Sequence, residues 1–248
     1  FGSQEQKQII LPAIASGRMI LTLAIYEPDL NLSEEAMQTR AVKSDHGWLI
    51  FGEKLLVSDL QAADKVLCIA RTENGVTVFI IDANDAHLKG KAIPSLSGDK
   101  QWDITFQSLA VNQDDILGVE GDGWDIARNM LRWGACLLSA YMSGAADRVV
   151  KITSDYAKER EQFGKPINKF QAIKHKMADM MVEVAGAQLL TYEAAWQIGQ
   201  GLNSDFTVAA AKAWSGMAFH RVAEEGMRVF ASIGYAKECD MQLYYRRA

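Results

Sequence analysis

The distribution of apolar positions along the chain changes near Gly118. Before it, apolar runs are short and bounded by turn residues, which is typical of strands. We predict strands within residues 19–25, 48–57, 65–70, 76–81 and 102–111. Asn74-Gly75, between the third and fourth of these, is a strong hairpin signal. Five or more short strands predict a small β-barrel or β-sandwich.

After Gly123 the pattern becomes helical. Long helices are predicted over residues 124–158, 169–200 and 205–231, and a fourth from about residue 240. Pro166 separates the first two, because proline lacks an N–H and restricts the residue before it. Gly199 and Gly201 are expected to close the second helix, and Gly234 the third. Long antiparallel helices joined by short loops form a bundle.

The predicted fold class is therefore α+β, a small β-barrel or sandwich domain followed by an antiparallel four-helix-type bundle. Residues 1–18 are interpreted as the end of a helical region, residues 19–118 as a β domain and residues 119–248 as an incomplete bundle. The chain does not begin with Met, and it ends without a helix-capping signal. We therefore expect it to be part of a longer protein.

Composition narrows the class of protein. Hydrophobic residues make up 49% and charged residues 23%, as in soluble globular proteins. A net charge of −5 argues against nucleic acid as a partner. No apolar run approaches the roughly 20 residues that cross a bilayer, and the first residues do not resemble a secretory signal. Three widely spaced cysteines, expected to be reduced, add to the expectation of a cytoplasmic protein.

The candidate chemistry is concentrated in residues 159–171, EREQFGKPINKFQ, at the break between two helices. A guanidinium at Arg160, an amide at Gln162 and a ring at Phe163 are able to clamp a diphosphate and pack against a flat heterocycle. The alternative is a helix-end charge cluster with Phe163 buried. Histidine and cysteine show no metal-ligand spacing, and the three glycines of residues 118–123 do not follow the dinucleotide-binding order.

The order of several motifs resembles the acyl-CoA dehydrogenase family over the full length of the chain. The strongest match is Arg160-x-Gln162-Phe163-Gly164-Lys165-Pro166-Ile167. The other matching segments are residues 2–7 (GSQEQK), 11–17 (LPAIASG), 27–28 (EP), 47–54, 62–64 (AAD), 121–124 (GDGW), 170–171 (FQ) and 177–180 (MADM).

The resemblance implies FAD as cofactor and α,β-dehydrogenation of an acyl-CoA thioester as the reaction. It also implies a homo- or hetero-dimer or tetramer of related chains, in which FAD lies between subunits, and an electron-transfer flavoprotein as acceptor. By the same resemblance, Arg160, Gln162 and Phe163 reach the pyrophosphate and adenine side of a neighbouring subunit's FAD. Ser58 is expected to keep a hydroxyl contact to the flavin, and Gly234 to admit the adenine end.

The sequence departs from the family pattern at positions expected to touch the flavin. Tyr26 stands where a small hydroxyl residue is usual. Asn31-Leu32 replaces the Gly-Ser pair of the family. Ser33 would supply the hydroxyl of that serine only if the alignment is shifted by one position. Leu56 replaces a tryptophan. The glycine-rich segment of the family reads Ala231-Ser232-Ile233-Gly234 here, with one matching glycine.

The catalytic base is not identified in this chain. Most family members carry a glutamate shortly after an Arg-x-Ala segment, which here is residues 246–248. Others carry it in the first bundle helix, at the position of Gly134, which has no side chain. Two alternatives therefore stay open: a non-catalytic subunit of a hetero-oligomeric dehydrogenase, and a flavin monooxygenase or oxidase of the same fold.

Overall fold

Strands and helices are segregated along the chain in the computed structural model, which describes residues 1–248. Residues 1–130 and 131–248 form two compact units, and the division falls within the first long helix. The last strand of the large sheet ends at Leu117, close to the predicted end of the β domain. The three-part division by residue number stays a prediction.

Eight strands form one hydrogen-bonded sheet in the first unit, with the order β6-β7-β3-β2-β4-β5-β8 and with β1 paired to β4. The strands are β1 (Leu21–Ala24), β2 (Arg40–Ser44), β3 (Gly47–Ser58), β4 (Lys65–Thr72), β5 (Gly75–Asp82), β6 (Leu88–Ile93), β7 (Gln101–Val111) and β8 (Ile116–Leu117). The α+β class and the hairpin at Asn74-Gly75 are confirmed, since β4 and β5 pair up to Thr72 and Gly75. The predicted β domain is thus built on one eight-stranded sheet.

Strands β2 and β6 were not predicted from the apolar pattern. Strand β6 has the sequence LKGKAI, and four of its six residues are exposed because it lies at the edge of the sheet. Strand β2, RAVKS, contains one buried residue, Ala41. Both strands depend on pairing with longer neighbours, and such pairing leaves little trace in local hydrophobicity.

The first helix, α1 (Gln4–Ala15), lies where it was predicted and begins with a capping box. The Gln6 amide donates to Ser3 Oγ, and the Ser3 amide donates to Gln6 Oε1. The Gln6 side-chain amide also donates to the carbonyls of Asp114 and Ile116. Helix α1 is thereby fixed to the start of β8.

The remaining helices are α2 (Gly123–Glu159), α3 (Gln171–Gly199), α4 (Asp205–Phe230) and α5 (Met241–Arg247). Helix α3 ends as predicted, with Gly201 at φ 67° and its amide bonded to the Ile198 carbonyl. The prediction that Gly234 closes α4 is wrong. The helix ends at Phe230, and Gly234 lies in the 3₁₀ turn that follows. None of the helices is long and apolar enough to cross a membrane.

The three cysteines are free thiols. Cys68 is fully buried in the core of the sheet, and this burial raises its pKa to about 12. Burial also raises the pKa of the Cys136 thiol. Both side chains therefore stay neutral and act as small apolar residues.

Candidate functional site

A β-hairpin with a two-residue turn forms the tip of the segment of residues 159–171, where the sequence predicted the candidate chemistry. Its strands are β9 (Glu161–Gln162) and β10 (Lys165–Pro166), with Gln162 opposite Lys165. The turn residues Phe163 and Gly164 have φ values of 54° and 75°. Positive φ at both positions is what a tight hairpin with matching twist requires. Glycine adopts it freely, but for a bulky Phe it is a strained conformation, and residues strained in this way cluster at functional sites.

The hairpin is held at its base by backbone hydrogen bonds and at its tip by ring contacts. The Arg160 amide donates to the Tyr156 carbonyl at 2.8 Å, and the Arg160 carbonyl accepts from the Ile167 amide at 2.8 Å. The Phe163 and Phe170 rings meet edge to face with centroids 6.1 Å apart. The Lys165 ammonium lies 4.6 Å from the centroid of the Phe170 ring. The backbone around Arg160 is therefore well defined.

The functional groups of this segment point to solvent. The Phe163 side chain is 93% exposed, so the alternative in which it is buried as a helix-end contact is wrong. Arg160 is exposed, and no carboxylate lies within ion-pair distance of its guanidinium. Gln162 donates only to the neighbouring Glu161 carbonyl. The segment thus offers a guanidinium fork without a carboxylate partner, together with an exposed amide and a largely exposed flat ring.

An open cleft of about 550 Å³ lies beside the hairpin, within the second unit. Arg160, Gln162 and Phe163 line one side, and Ala231, Ser232 and Ile233 line another. Tyr156 and Phe230 were missed as lining residues. Tyr156 lies four residues before Arg160. This spacing places two side chains on one face of a helix, so it would have revealed Tyr156 as a lining residue.

Ala231 leaves α4 in an unusual backbone conformation, φ 55° and ψ −139°. A Cβ is disfavoured there, and such a residue persists only where the surrounding structure imposes it. Gly234, the predicted site residue of this turn, is buried and does not line the cleft. A Cβ at Gly234 would lie 2.5 Å from Met227 Sδ, so this glycine permits close packing beneath the turn. Its proposed contact with adenine is untested.

Ser58, the remaining predicted site residue, lies at the end of β3 in the first unit and is exposed. Its carbonyl accepts from Thr22 Oγ1 at 2.7 Å, while no partner holds its hydroxyl. The Ser58 Oγ is therefore free of partners within the protein, and its expected contact with the flavin stays a prediction. The Ser33 hydroxyl oxygen accepts from the Ala36 amide at 3.3 Å.

Other polar groups have local partners. Glu120 accepts from the Asn74 side chain, and Asp125 lies 3.8 Å from Arg128 in the first turn of α2. No cluster of three or more His, Cys, Asp or Glu side chains is arranged to hold a metal ion. Gly134 faces open space, with no atom within 4 Å of an added Cβ.

Comparison with known proteins gives a consistent result. Residues 121–248 match the family described as acyl-CoA dehydrogenase, C-terminal domain. An acyl-CoA dehydrogenase of Bacillus subtilis (strain 168) is 30% identical over all of this chain and 68% of its own length. A glutaryl-coenzyme A dehydrogenase solved with glutaryl-CoA superposes with a TM-score of 0.95 at 30% identity, over 99% of this chain and 65% of that one.

A second solved structure, "PigA with FAD and proline", superposes with a TM-score of 0.92 at 27% identity, over 99% of this chain and 66% of that one. The chain spans about two thirds of the length of these proteins. The fold, the order of motifs and these matches together show that the chain belongs to the acyl-CoA dehydrogenase family.

Proposed function

We propose that this protein takes part in FAD-dependent α,β-dehydrogenation of an acyl-CoA thioester. The observation that carries the proposal is the pairing of a guanidinium without a carboxylate partner, at Arg160, with the 93% exposed ring of Phe163 beside an open cleft. A cofactor with an anionic pyrophosphate and flat rings matches both groups. The related structure with FAD and the one with glutaryl-CoA support the choice of cofactor and substrate class.

The residues of this chain would bind and orient the cofactor. Arg160 presents planar donors that fit pyrophosphate oxygens, and its fixed backbone reduces the entropy lost on binding. Phe163 and Gln162 would cover the adenine end with an apolar face and an amide. Ser58 would donate a hydrogen bond from its Oγ. The chemistry that FAD supplies here is acceptance of the hydride leaving the acyl β-carbon.

The group that removes the α-proton is not assigned to a residue of this chain. A base is required, because a C–H bond next to a thioester is a weak acid. Gly134 has no side chain, and Glu120 and Asp125 are engaged in local contacts. We therefore limit the proposed roles in this chain to cofactor binding and positioning.

Partners follow from the outward orientation of the hairpin. A strained, exposed Phe163 beside Arg160 is suited to a ligand held by another subunit, which supports a homo- or hetero-oligomer of related chains. An electron-transfer flavoprotein is proposed as the acceptor of the electrons, and the cytoplasm as the location. These proposals rest on the family resemblance.

A second candidate function is a subunit that supports the FAD of a related chain without catalysing the reaction itself. The observation that favours it is Ala231, whose Cβ occupies a strained turn at the edge of the cleft where glycine would be relaxed. Tyr26 and Leu56, bulky side chains exposed in the first unit, are a second indication. About half an FAD per chain in a mixed oligomer would favour this candidate.

The test is a titration of the full-length apoprotein with FAD, followed by absorbance. Arg160→Ala should raise the dissociation constant about 10- to 100-fold, since a charge-assisted bidentate contact is lost. Arg160→Lys keeps the charge but loses the fork, so it should recover only part of the affinity.

Lys158→Ala is the matched control. It removes one positive charge from the same helix end, and its ammonium pairs with Asp155 at 2.9 Å. This variant should bind FAD as the wild type does. The proposal would be abandoned if the wild-type protein stayed colourless with excess FAD, or if Arg160→Ala and Lys158→Ala behaved alike. Anaerobic bleaching of the bound flavin by acyl-CoA would then test the dehydrogenation itself.

A further inference from the structure

A fully buried ion pair lies in the first unit, outside the cleft described above. The Lys54 ammonium is 2.8 Å from Glu27 Oε1, and the two side chains are 0% and 1% exposed. Removing two charges from water costs more than a pair of this kind usually returns, so a buried pair is weak evidence for stability. The contacts of this pair point to a role other than stability.

Glu27 closes a loop at its base. The chain leaves strand β1 at Ala24 and rejoins the same edge of β4 at Arg40, where β2 begins. The Glu27 carboxylate accepts from the amides of Gln38 and Thr39, at 2.6 and 3.0 Å, where the chain returns. One carboxylate thereby joins the two ends of the loop of residues 28–37.

Arg71 holds the same loop from the side. Its Nε donates to the Met37 carbonyl at 3.1 Å, and its Nη2 donates to the Glu34 carbonyl. The Glu27 carbonyl accepts from the Leu30 amide at 2.8 Å and closes a turn through Pro28. The loop conformation is thus determined by contacts that converge on its base.

Lys54 connects this loop to strand β3. Its ammonium has three partners: the Glu27 carboxylate, the Ile25 carbonyl at 3.4 Å and Met37 Sδ at 3.8 Å. An ammonium has three donors, so all of them are used. Strand β3 bulges directly after this residue, where the register with β7 shifts between Lys54 and Val57.

The bulge is joined to the chain at Tyr26 by a backbone hydrogen bond. The Leu55 amide donates to the Tyr26 carbonyl at 2.8 Å, and the Leu56 amide donates to Asp103 Oδ1 at 3.3 Å. Leu56 has φ 56° and Leu30 has φ 54°. Tyr26, Leu30 and Leu56 are all exposed. Exposed apolar side chains on a strained backbone beside a bulge are characteristic of a binding surface.

We infer that Glu27 and Lys54 form a positioning pair, which holds the loop of residues 28–37 and the Leu55–Leu56 bulge in the conformation that binds the flavin ring system. The inference rests on the proposed function. The pair touches neither substrate nor cofactor. It acts through the backbone of Tyr26 and Leu56, whose side chains form the apolar surface. A merely structural pair would contribute to stability alone.

The experiment separates positioning from stability with three variants of the full-length protein. Glu27→Gln removes the charge and leaves one acceptor for two amides, and Lys54→Met removes the link to β3. The double variant, Glu27→Gln with Lys54→Met, replaces the buried charges with neutral groups of similar volume, a change that is often tolerated. It therefore keeps the test possible if either single variant fails to fold.

Two measurements are compared with the wild type. Hydrogen exchange without FAD should accelerate at the amides of Gln38, Thr39 and Leu55 by at least about tenfold, while exchange in α1 is unchanged. The FAD dissociation constant of the double variant should rise about tenfold or more, because even a small displacement of the binding surface weakens its contacts with the cofactor.

Leu109→Ala is the control for stability. Leu109 is buried in the core of the sheet, pairs with Ile50, and makes no hydrogen bond to the loop of residues 28–37. This variant should lose stability but hold its FAD dissociation constant within about twofold. Equal FAD affinity in the double variant and the wild type, or unchanged exchange at the loop amides, would overturn the inference while leaving the proposed function intact. A wild-type protein that binds no FAD would overturn both.

Discussion

Tyr156 and Phe230 stack nearly parallel in the cleft, with ring centroids 4.2 Å apart and 13° between the ring planes. Phe230 is the last residue of α4, so this contact fixes the end of the helix relative to α2. The next residue, Ala231, must then turn away from the helix at once. The residue with the strained φ of 55°, Ala231, thus directly follows an anchored side chain.

Replacing Ala231 with glycine should stabilise the protein, although glycine usually destabilises. Relief of a strained conformation is worth about 1–3 kcal/mol, and the added freedom of the unfolded glycine offsets about 1 kcal/mol of it. We expect a net gain of up to about 2 kcal/mol in the free energy of unfolding, measured by urea denaturation.

Ala213→Gly is the control, and it should lower the free energy of unfolding. Ala213 is an exposed residue within α4, where glycine costs about 1 kcal/mol relative to alanine. If both substitutions destabilise equally, the backbone at Ala231 is not strained.

Phe163→Asn should separate stability from cofactor binding at the hairpin. Asparagine tolerates the left-handed conformation that Phe163 adopts at φ 54°, so the melting temperature should stay the same or rise. FAD affinity should fall about tenfold, because base–aromatic stacking is worth about 1–3 kcal/mol. Thermal unfolding and FAD titration measure the two effects.

The control is Leu96→Asn, which removes an 80% exposed apolar side chain from a loop of the first unit. Its FAD affinity should equal that of the wild type. A loss of affinity as large as that of Phe163→Asn would mean that surface apolarity in general, and not the Phe163 ring, is responsible.

The buried pair predicts how stability depends on pH. Burial favours the neutral form of Glu27 and raises its pKa, but the Lys54 ammonium and the amides of Gln38 and Thr39 outweigh burial, and the net pKa is lowered. The unfolded state therefore binds the proton more readily. The stabilising contribution is complete above the unfolded pKa of about 4.3 and is lost as the pH falls through the folded pKa.

Glu27→Gln should cost about 3–5 kcal/mol at pH 7, because Lys54 is left buried without its partner. The difference from the wild type should shrink as the pH falls below about 4.3. Urea unfolding between pH 7 and pH 3 measures the difference in the free energy of unfolding between the wild type and the variant. Asp82 and Glu225, whose pKa values are also lowered, are present in both proteins, so their contributions cancel. A difference that does not change with pH would refute the assignment. The Cys68 thiol stays neutral throughout, given its pKa of about 12.

Much of the fold could be predicted from local patterns. The hairpin at Asn74-Gly75 followed from turn chemistry, and α1 lies within the helical region predicted over residues 1–18. Positions with long-range causes were not predictable. Glu27 and Lys54 are 27 residues apart in the sequence, and no periodicity indicates that their side chains meet. The end of α4 at Phe230 lies within one residue of its predicted bound, but the glycine expected to close the helix, Gly234, lies in the 3₁₀ turn that follows.

The site was predicted in its chemistry but not in its shape. The residue types at Arg160, Gln162 and Phe163 suggested a diphosphate and a flat ring. Their presentation on a two-residue hairpin was not foreseen, since Phe rarely adopts the backbone conformation that such a turn needs. Tyr156 follows from its four-residue spacing to Arg160. Phe230 joins the cleft through its packing against Tyr156 of α2, which the sequence does not record.

The closure of the loop at Glu27 determines which sequence changes the protein tolerates. Both ends of residues 28–37 are joined by one carboxylate, so insertions, deletions or substitutions between them need not disturb the registers of β1 and β2 on β4. Each doubling of such a loop costs only about 0.6 kcal/mol in closure entropy. Asn31 and Leu32, where the family usually has Gly-Ser, lie inside this closed loop. The scaffold therefore permits divergence at this surface while the sheet beneath it is preserved.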